Sequence, residues 1–361
     1  MKHLLSGKIL AIDMGSRNIH LVEGRSRGGA IEVDRCLLVV TPEGSIRDGS
    51  IIDKASVREC LHQAIKQNHF TADRAVLTVK SPLVIARDVV LPVVNKDELD
   101  SMIQLEMEQY VPNLVTEYVT GFTLLNPGTD KNAAVQGGSQ MKFHVVAMPK
   151  TLINSYLELL REAGLKPVIM DVHSNALAKL VDRNFIRNGQ NVNSMTSWQT
   201  AAFLDLGYDQ TEVNIISQGS LVFSRLIAFG SRQICAELAK QWNITLSQTE
   251  QRLANDLDLT KSNGDHAQDT IRSFTNRWLT EIQTNIQFYT GRSQENKPEA
   301  FYIYGGFARL RGLADLMNGA YNVPIRYMND LPAVKMVSRE NSPDQDIGQF
   351  INALGAIIRN E

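Results

Sequence analysis

Apolar residues recur along this chain in two rhythms. One is short β-branched runs ending on a carboxylate or a glycine, which read as buried strands. The other is longer stretches with apolar positions every three or four residues, which read as amphipathic helices. Ile9 to Ile12 is the first run; it ends at Asp13, and Met14-Gly15-Ser16-Arg17-Asn18 turns into a second run, Ile19 to Val22. Ala30 to Val40 predicts another strand, with turns at Pro42-Glu43-Gly44 and Asp48-Gly49. Asp53 stands where it would cap a helix carrying Val57, Leu61 and Ile65, and Ala75 to Val79 returns to strand.

From Val84 the pattern repeats as strand (to Leu91), helix, strand. Asn95 and Glu98 have capping-box spacing, Leu99, Met102, Ile103, Met107 and Tyr110 mark one apolar face, and Pro112 is a stop. Asn126 to Gln140 reads as a polar hairpin loop and Phe143 to Ala147 as the return strand. Pro149 opens a helix that Gly164 closes. Val168 to Val172 predicts a strand and Ser174 to Asp182 a helix, with the polar stretch Asn184 to Thr200 as a crossover.

The second half starts again at Ala201. Phe203-Leu204-Asp205-Leu206-Gly207 is a strand ending in an Asp-x-Gly turn, and Glu212 to Ser217 leads out. Gly219-Ser220 predicts a hairpin, Leu221 to Ile227 a strand, and Gly230-Ser231 a helix start. Ser247-x-x-Glu250 has capping-box spacing. Ile271, Phe274, Trp278, Ile282 and Ile286 fall at helical spacing within Thr270 to Tyr289, whereas Asn285 to Pro298 is too polar to be core throughout. Gln349 to Arg359 predicts a final amphipathic helix.

The two strand-ending bends carry the candidate chemistry. A carboxylate at a strand end, a glycine where backbone must come close and small polar side chains form a phosphate seat. Turn N–H groups bind phosphate oxygens there, and the carboxylate holds Mg²⁺ through water. One Asp-x-Gly-Ser bend is ordinary turn composition; a second at Asp205 allows two loops to hold one phosphate chain between them. Tyr304-Gly305-Gly306-Phe307 adds a glycine turn after a strand, where bare backbone can lie against a base or ribose.

Composition narrows the partners. The chain has 361 residues, 43% of them hydrophobic, enough for one large or two ordinary cores, and its net charge of -2 offers no basic field for nucleic acid. Cys36, Cys60 and Cys235 lie far apart without metal-ligand spacing, which fits buried thiols in a reducing compartment. The first strand begins too early for a signal peptide, and no apolar run reaches the roughly 18 residues needed to cross a bilayer. The expectation is a cytosolic protein that meets the membrane only through a partner.

Asp13-x-Gly15, Asp205-x-Gly207 with Thr211, and Gly305-Gly306 with Gly312-Leu313 resemble, in that order, the two phosphate loops and the adenosine loop of actin-like ATPases. Ile103 to Pro112 and Glu162-Ala163-Gly164-Leu165-Lys166-Pro167-Val168 resemble the PilM family, actin-like subunits of type IV pilus assembly machines and relatives of FtsA. The resemblance implies an α/β, two-lobed actin-like fold. Subdomain 1A would span 1–83 with 166–200 and 342–361, and 84–165 would be a 1C-like insertion. Subdomain 2A would span 201–235 with 298–341, and 2B 236–297. It implies ATP contacts from Gly15, Ser16, Arg17, Asn18, Gly207, Gln210, Thr211, Glu250, Gly305, Gly306 and Phe307, with Asp13 and Asp205 on Mg²⁺ through water.

Two departures bear on chemistry. The position that commonly holds a phosphate-binding lysine, seven residues after the first aspartate, is His20, and the lysine often found three residues after Glu250 is Leu253. Asp171 or His173 is the only candidate for positioning an attacking water, and a strand-end carboxylate at Asp171 more often caps the next helix, so nucleotide is expected as a conformational ligand with slow or absent turnover. The implied partner is the cytoplasmic N-terminal tail of a PilN-like membrane protein, near a rim at Tyr110, Val111 and Pro112; self-association is left open. Competing readings are an FtsA-like polymerising protein, the cytosolic part of a type II secretion platform, a kinase of the same fold, and a nucleotide-free adaptor.

Overall fold

The computed structural model describes residues 7–125, 140–186, 198–255, 258–260, 266–291, 297–337 and 346–358. The expected polar loop at 126–139 and most of the crossover, 187–197, lie outside these residues.

The chain opens with β1 (Ile9–Met14), β2 (Asn18–Arg27) and β3 (Ala30–Val40), an antiparallel meander. A small hairpin follows, β4 (Ile46–Arg47) with β5 (Ser50–Ile51). Helix α1 (Lys54–Gln67) starts at Asp53, whose side chain accepts from Ser56 N, and it buries Val57, Leu61 and Ala64. Strand β6 (Arg74–Val79) then pairs parallel to β1.

A separate three-stranded sheet follows. β7 (Ile85–Pro92), α2 (Lys96–Glu108), α3 (Leu114–Glu117), β8 (Tyr118–Leu125) and β9 (Gln140–Pro149) give an antiparallel sheet in the order β7-β9-β8. Asn95 caps α2 by accepting from Glu98 N, and Ile103, Met107, Val111 and Leu114 pack on Phe143 and Val145. α4 (Lys150–Glu162) returns the chain, and Gly164, at φ +86°, ends it in the left-handed conformation that glycine tolerates. β10 (Lys166–Val172) adds to β6 in parallel, giving the six-stranded order β10-β6-β1-β2-β3-β16, where β16 is Val334–Met336 from near the end of the chain. α5 (His173–Val181) runs on into a π-turn at Asp182–Ile186.

The second half rebuilds the same hairpin. β11 (Thr200–Leu206), β12 (Thr211–Ser217) and β13 (Ser220–Ile227) form an antiparallel meander, and the helices α6 (Ser231–Trp242), α7 (Leu246–Asn255) and α8 (His266–Thr290) follow. β14 (Ala300–Tyr304) joins β11 in parallel. α9 (Leu313–Tyr321), β15 (Ile325–Tyr327), β16 (Val334–Met336) and α10 (Ile351–Ile357) end the described chain. The second sheet runs β13-β12-β11-β14-β15, with Asp205 at the place Asp13 holds in the first.

Two expectations are corrected here. The capping box of α7 is Thr245 with Gln248, not Ser247 with Glu250. Gln248 N donates to Thr245 Oγ1 at 3.2 Å and Thr245 N to Gln248 Oε1 at 3.0 Å. Ser247 already lies in the first turn, so Glu250 is free to reach across the molecule. The last helix is shorter than expected and not amphipathic, since every residue from Ile351 to Ile357 is buried. It lies beside α5 between the two large sheets, in a core shared by Ile9, Val76, Phe203, Tyr302 and Leu354, and its one polar side chain, Asn352, donates to Asp13 at 3.4 Å instead of facing solvent.

Candidate functional site

The parallel pairings decide what meets. β6 pairs parallel to β1 and β10 parallel to β6, with Asp13 beside Thr78 and Val79 beside Val172. The residues just past these strands, Lys80 and His173, therefore reach the level of Asp13. On the second sheet Tyr304 pairs with Asp205, so Gly305 follows just beyond. Sites gather past the carboxyl ends of such strands, and here two of these edges face each other across a cavity of about 580 Å³.

The cavity brings together nearly all the predicted residues. Gly15, Ser16, Arg17, Asn18 and His20 line one wall, Gly207, Gln210 and Glu250 the other, and Gly305, Gly306 and Phe307 the base, with Asp13 and Asp205 between. Thr211 is not among them. It is fully buried, its hydroxyl donating to Phe229 O and accepting from Trp278 Nε1, because its strand position faces α8. Asp171 also stays outside: its carboxylate accepts from Val172 N, Asn175 Nδ2 and Lys179 Nζ, so it fastens the start of α5. Of the proposed partner rim, Tyr110 is half-exposed and Pro112 exposed, whereas Val111 is buried in the core of the three-stranded sheet.

Each loop is held by its own backbone. Gly15 N donates to Asn18 O and Thr41 Oγ1 to Gly15 O, and Ser231 N donates to Gly207 O. A Cβ on Gly15 or Gly207 would lie 2.8 or 2.6 Å from a carbonyl of its own loop, so both bends are closed to larger residues. Gly305 sits at φ +90° and a Cβ there would meet Asp205 Oδ1 at 2.6 Å, while one on Gly306 would meet nothing within 4 Å. Gly305→Ala is therefore expected to cost about 2 kcal/mol from the disfavoured backbone alone. Gly306→Ala is expected to leave thermal stability within about 0.5 kcal/mol. Equal thermal melts for the two variants would contradict this.

Charge is concentrated where the walls meet. His173 Nε2 lies 2.9 Å from Asp13 Oδ1, and its Nδ1 lies 3.6 Å from Asp205 Oδ2 and 3.9 Å from Glu212 Oε2. Lys80 Nζ is 2.7 Å from Asp205 Oδ2. Burial alone would push the His173 imidazole down, but the Asp13 carboxylate outweighs it and holds the pKa up at about 9. Burial raises Asp13 and Asp205 while their cationic neighbours lower them, and the cations win. Glu212 is pushed up by burial. Arg17 pairs with Glu250 across the cavity mouth, and Gln210 Nε2 donates to Asp48 Oδ1 at 2.8 Å.

His20 lines the cavity with Nδ1 3.5 Å from Asp13 Oδ2 and its ring edge-on to Phe350. Lys80 was missed from the sequence as a source of positive charge. The available signal was a lysine directly after a buried strand, but its relevance depends on β6 lying beside β1, which local sequence does not state. Glu212 and Tyr304 escaped notice for the same reason.

Two mirrored hairpins, each followed by a parallel strand, with strand-end aspartates facing across a glycine-lined cleft, define the actin-like ATPase fold. The chain belongs to the family of the type IV pilus assembly protein PilM, whose model matches residues 11–361. It is similar to a solved structure described as the PilM-PilN type IV pilus biogenesis complex, with 23% identity, 98% of each chain covered and a TM-score of 0.80. More distant likenesses are the ethanolamine utilization protein EutJ of Carboxydothermus hydrogenoformans (13% identity, 97% and 89% covered, TM-score 0.53) and MreB5 of Spiroplasma citri bound to AMPPNP (11%, 96% and 94%, 0.51). No helix among the described residues is long and apolar enough to cross a membrane.

Proposed function

We propose that this chain is an ATP-binding subunit of a type IV pilus assembly platform that grips the cytoplasmic tail of a PilN-like membrane protein, with nucleotide serving mainly as a conformational ligand. The observation that carries the nucleotide part is the single imidazole of His173, set between Asp13 and Asp205 so that both strand-end carboxylates belong to one cleft. The partner part rests on family membership.

The residues present fit a magnesium–triphosphate. Gly15 and Gly207 are closed to larger side chains, which leaves bare loop backbone facing the cleft, and paired carboxylates suit a cation held through water. Bound Mg²⁺ would neutralise phosphate charge there, with Asp13 and Asp205 orienting its waters. Arg17 and Lys80 would supply cations to the phosphates, and Gly305 and Gly306 would lie against the adenosine. With Asp171 engaged by Lys179 and Asn175, His173 is left as the group near the phosphate end able to orient water, and its contact with Asp13 leaves it little freedom. Slow or absent hydrolysis follows.

Lys80→Ala is expected to weaken ATP binding by about 10- to 100-fold, the value of one charge-assisted hydrogen bond, and more than His20→Ala does. Asp13→Ala is expected to abolish Mg²⁺-dependent binding. Calorimetric titration measures both, and equal affinities for Lys80→Ala and the unaltered chain would refute the assignment. Pull-down with a synthetic PilN-like tail, with and without ATP, tests the partner. Capture that is identical in both conditions would remove the conformational role.

A further inference from the structure

At the floor of the cleft, among the described residues, lies a group of buried polar side chains of which the nucleotide reading uses only His173. His173 Nδ1 faces only carboxylates, Asp205 Oδ2 at 3.6 Å and Glu212 Oε2 at 3.9 Å, neither close enough for a hydrogen bond, and Tyr304 and Asn214 lie in the same buried layer. Glu212 pairs with Asp205 across β12 and β11, Asn214 with Phe203, and Tyr304 with Asp205 on β14, so these side chains stand on one face of the sheet. All four residues are more than nine-tenths buried. Unpartnered buried polar groups are rare and costly unless something joins them.

We propose that His173 Nδ1, Asp205 Oδ2 and Glu212 Oε2 form a divalent-cation site that coordinates its metal directly and needs no nucleotide. The three atoms lie within 4.8 Å of one another. A cation about 2.0–2.2 Å from three tetrahedral ligands would set them roughly 3.3–3.6 Å apart; the 3.6 Å and 3.9 Å separations from Nδ1 approach this with small side-chain shifts. The other ring nitrogen, Nε2, is hydrogen-bonded to Asp13, the carboxylate–histidine–metal arrangement that orients a ligating imidazole. One nitrogen and two carboxylate oxygens favour a cation that accepts imidazole, such as Zn²⁺, Co²⁺ or Mn²⁺, over Mg²⁺. Lys80 competes for Asp205 Oδ2, so metal entry would turn its ammonium toward the cleft.

The proposal shares Asp205 with the nucleotide reading but is tested without nucleotide. The full chain, stripped with chelator, is titrated with Co²⁺ and followed by visible absorption. Expected is uptake of one equivalent, displaced by Zn²⁺ and insensitive to excess Mg²⁺. Glu212→Gln and His173→Gln should each weaken uptake at least about tenfold, the low end for altered metal shells. Cys235→Ser, which removes a thiol from the cavity wall, should change nothing. Lys80→Met should tighten binding, a gain that general damage to the fold does not give, and it decides the matter if the other variants fail to fold. Uptake unaffected by Glu212→Gln and His173→Gln, or none by either the unaltered chain or Lys80→Met, would overturn the site. ATP affinity measured in parallel on the stripped chain reports separately on the nucleotide reading.

Discussion

Gly355→Ala is expected to lower the thermal midpoint by about 4 °C. Gly355 lies in α10 where that helix crosses α5, and a Cβ there would fall 2.1 Å from Ala176 O and 2.5 Å from its carbonyl carbon. A backbone carbonyl cannot swing away as a long side chain would. The two helices must separate, or the core around Leu177, Ala353 and Leu354 must re-form. Overpacking of this kind costs typically 1–3 kcal/mol, and contact with backbone puts this position at about 3 kcal/mol, a shift of several degrees in a chain of this size. A midpoint within 2 °C of the unaltered chain would show that α5 and α10 can slide apart freely.

The second large effect is on the pH dependence of stability. The His173 pKa of about 9 lies above the ordinary value near 6.5, so its contact with Asp13 stabilises fully below pH 6.5 and is lost as pH rises through 9. The difference corresponds to about 3 kcal/mol. Asp13 and Asp205 have lowered pKa values, so their contribution is present above the ordinary carboxylate range and is lost as pH falls through their folded values. Stability of the nucleotide-free chain, in chelator, is therefore expected to be greatest between about pH 4 and 6.5 and to decline into the alkaline range. His173→Gln should remove most of that alkaline decline. Thermal melts from pH 4 to 10 measure it, and parallel curves for the two proteins would contradict the assignment.

Much of this site was legible because its first elements are local. An apolar run, a carboxylate and a glycine within seven residues specify a strand and its bend, at Asp13 as at Asp205. Asn95 with Glu98, and Gly164, were equally readable, since caps and chain reversals depend on neighbours in sequence. What was not legible depends on sheet order and on which side of a strand faces which layer. Lys80 enters the cleft only because β6 lies beside β1. Thr211 leaves it because its side chain turns toward Trp278, 67 positions away. The sequence pattern also could not show that the last helix is buried along its whole length, since a run of Ile, Ala, Leu and Gly broken only by Asn352 suits an enclosed helix as well as a half-buried one.

The pairing of Arg17 with Glu250 has a kinetic consequence. The guanidinium that a triphosphate would recruit is already engaged by a carboxylate 233 positions away, at the mouth of the cavity. An arriving anion would have to wait for that pair to part, and the observed dissociation constant would be the intrinsic one divided by the fraction of time it stands open. Glu250→Gln should thus speed association in stopped-flow measurements far more than it alters the lifetime of the bound state.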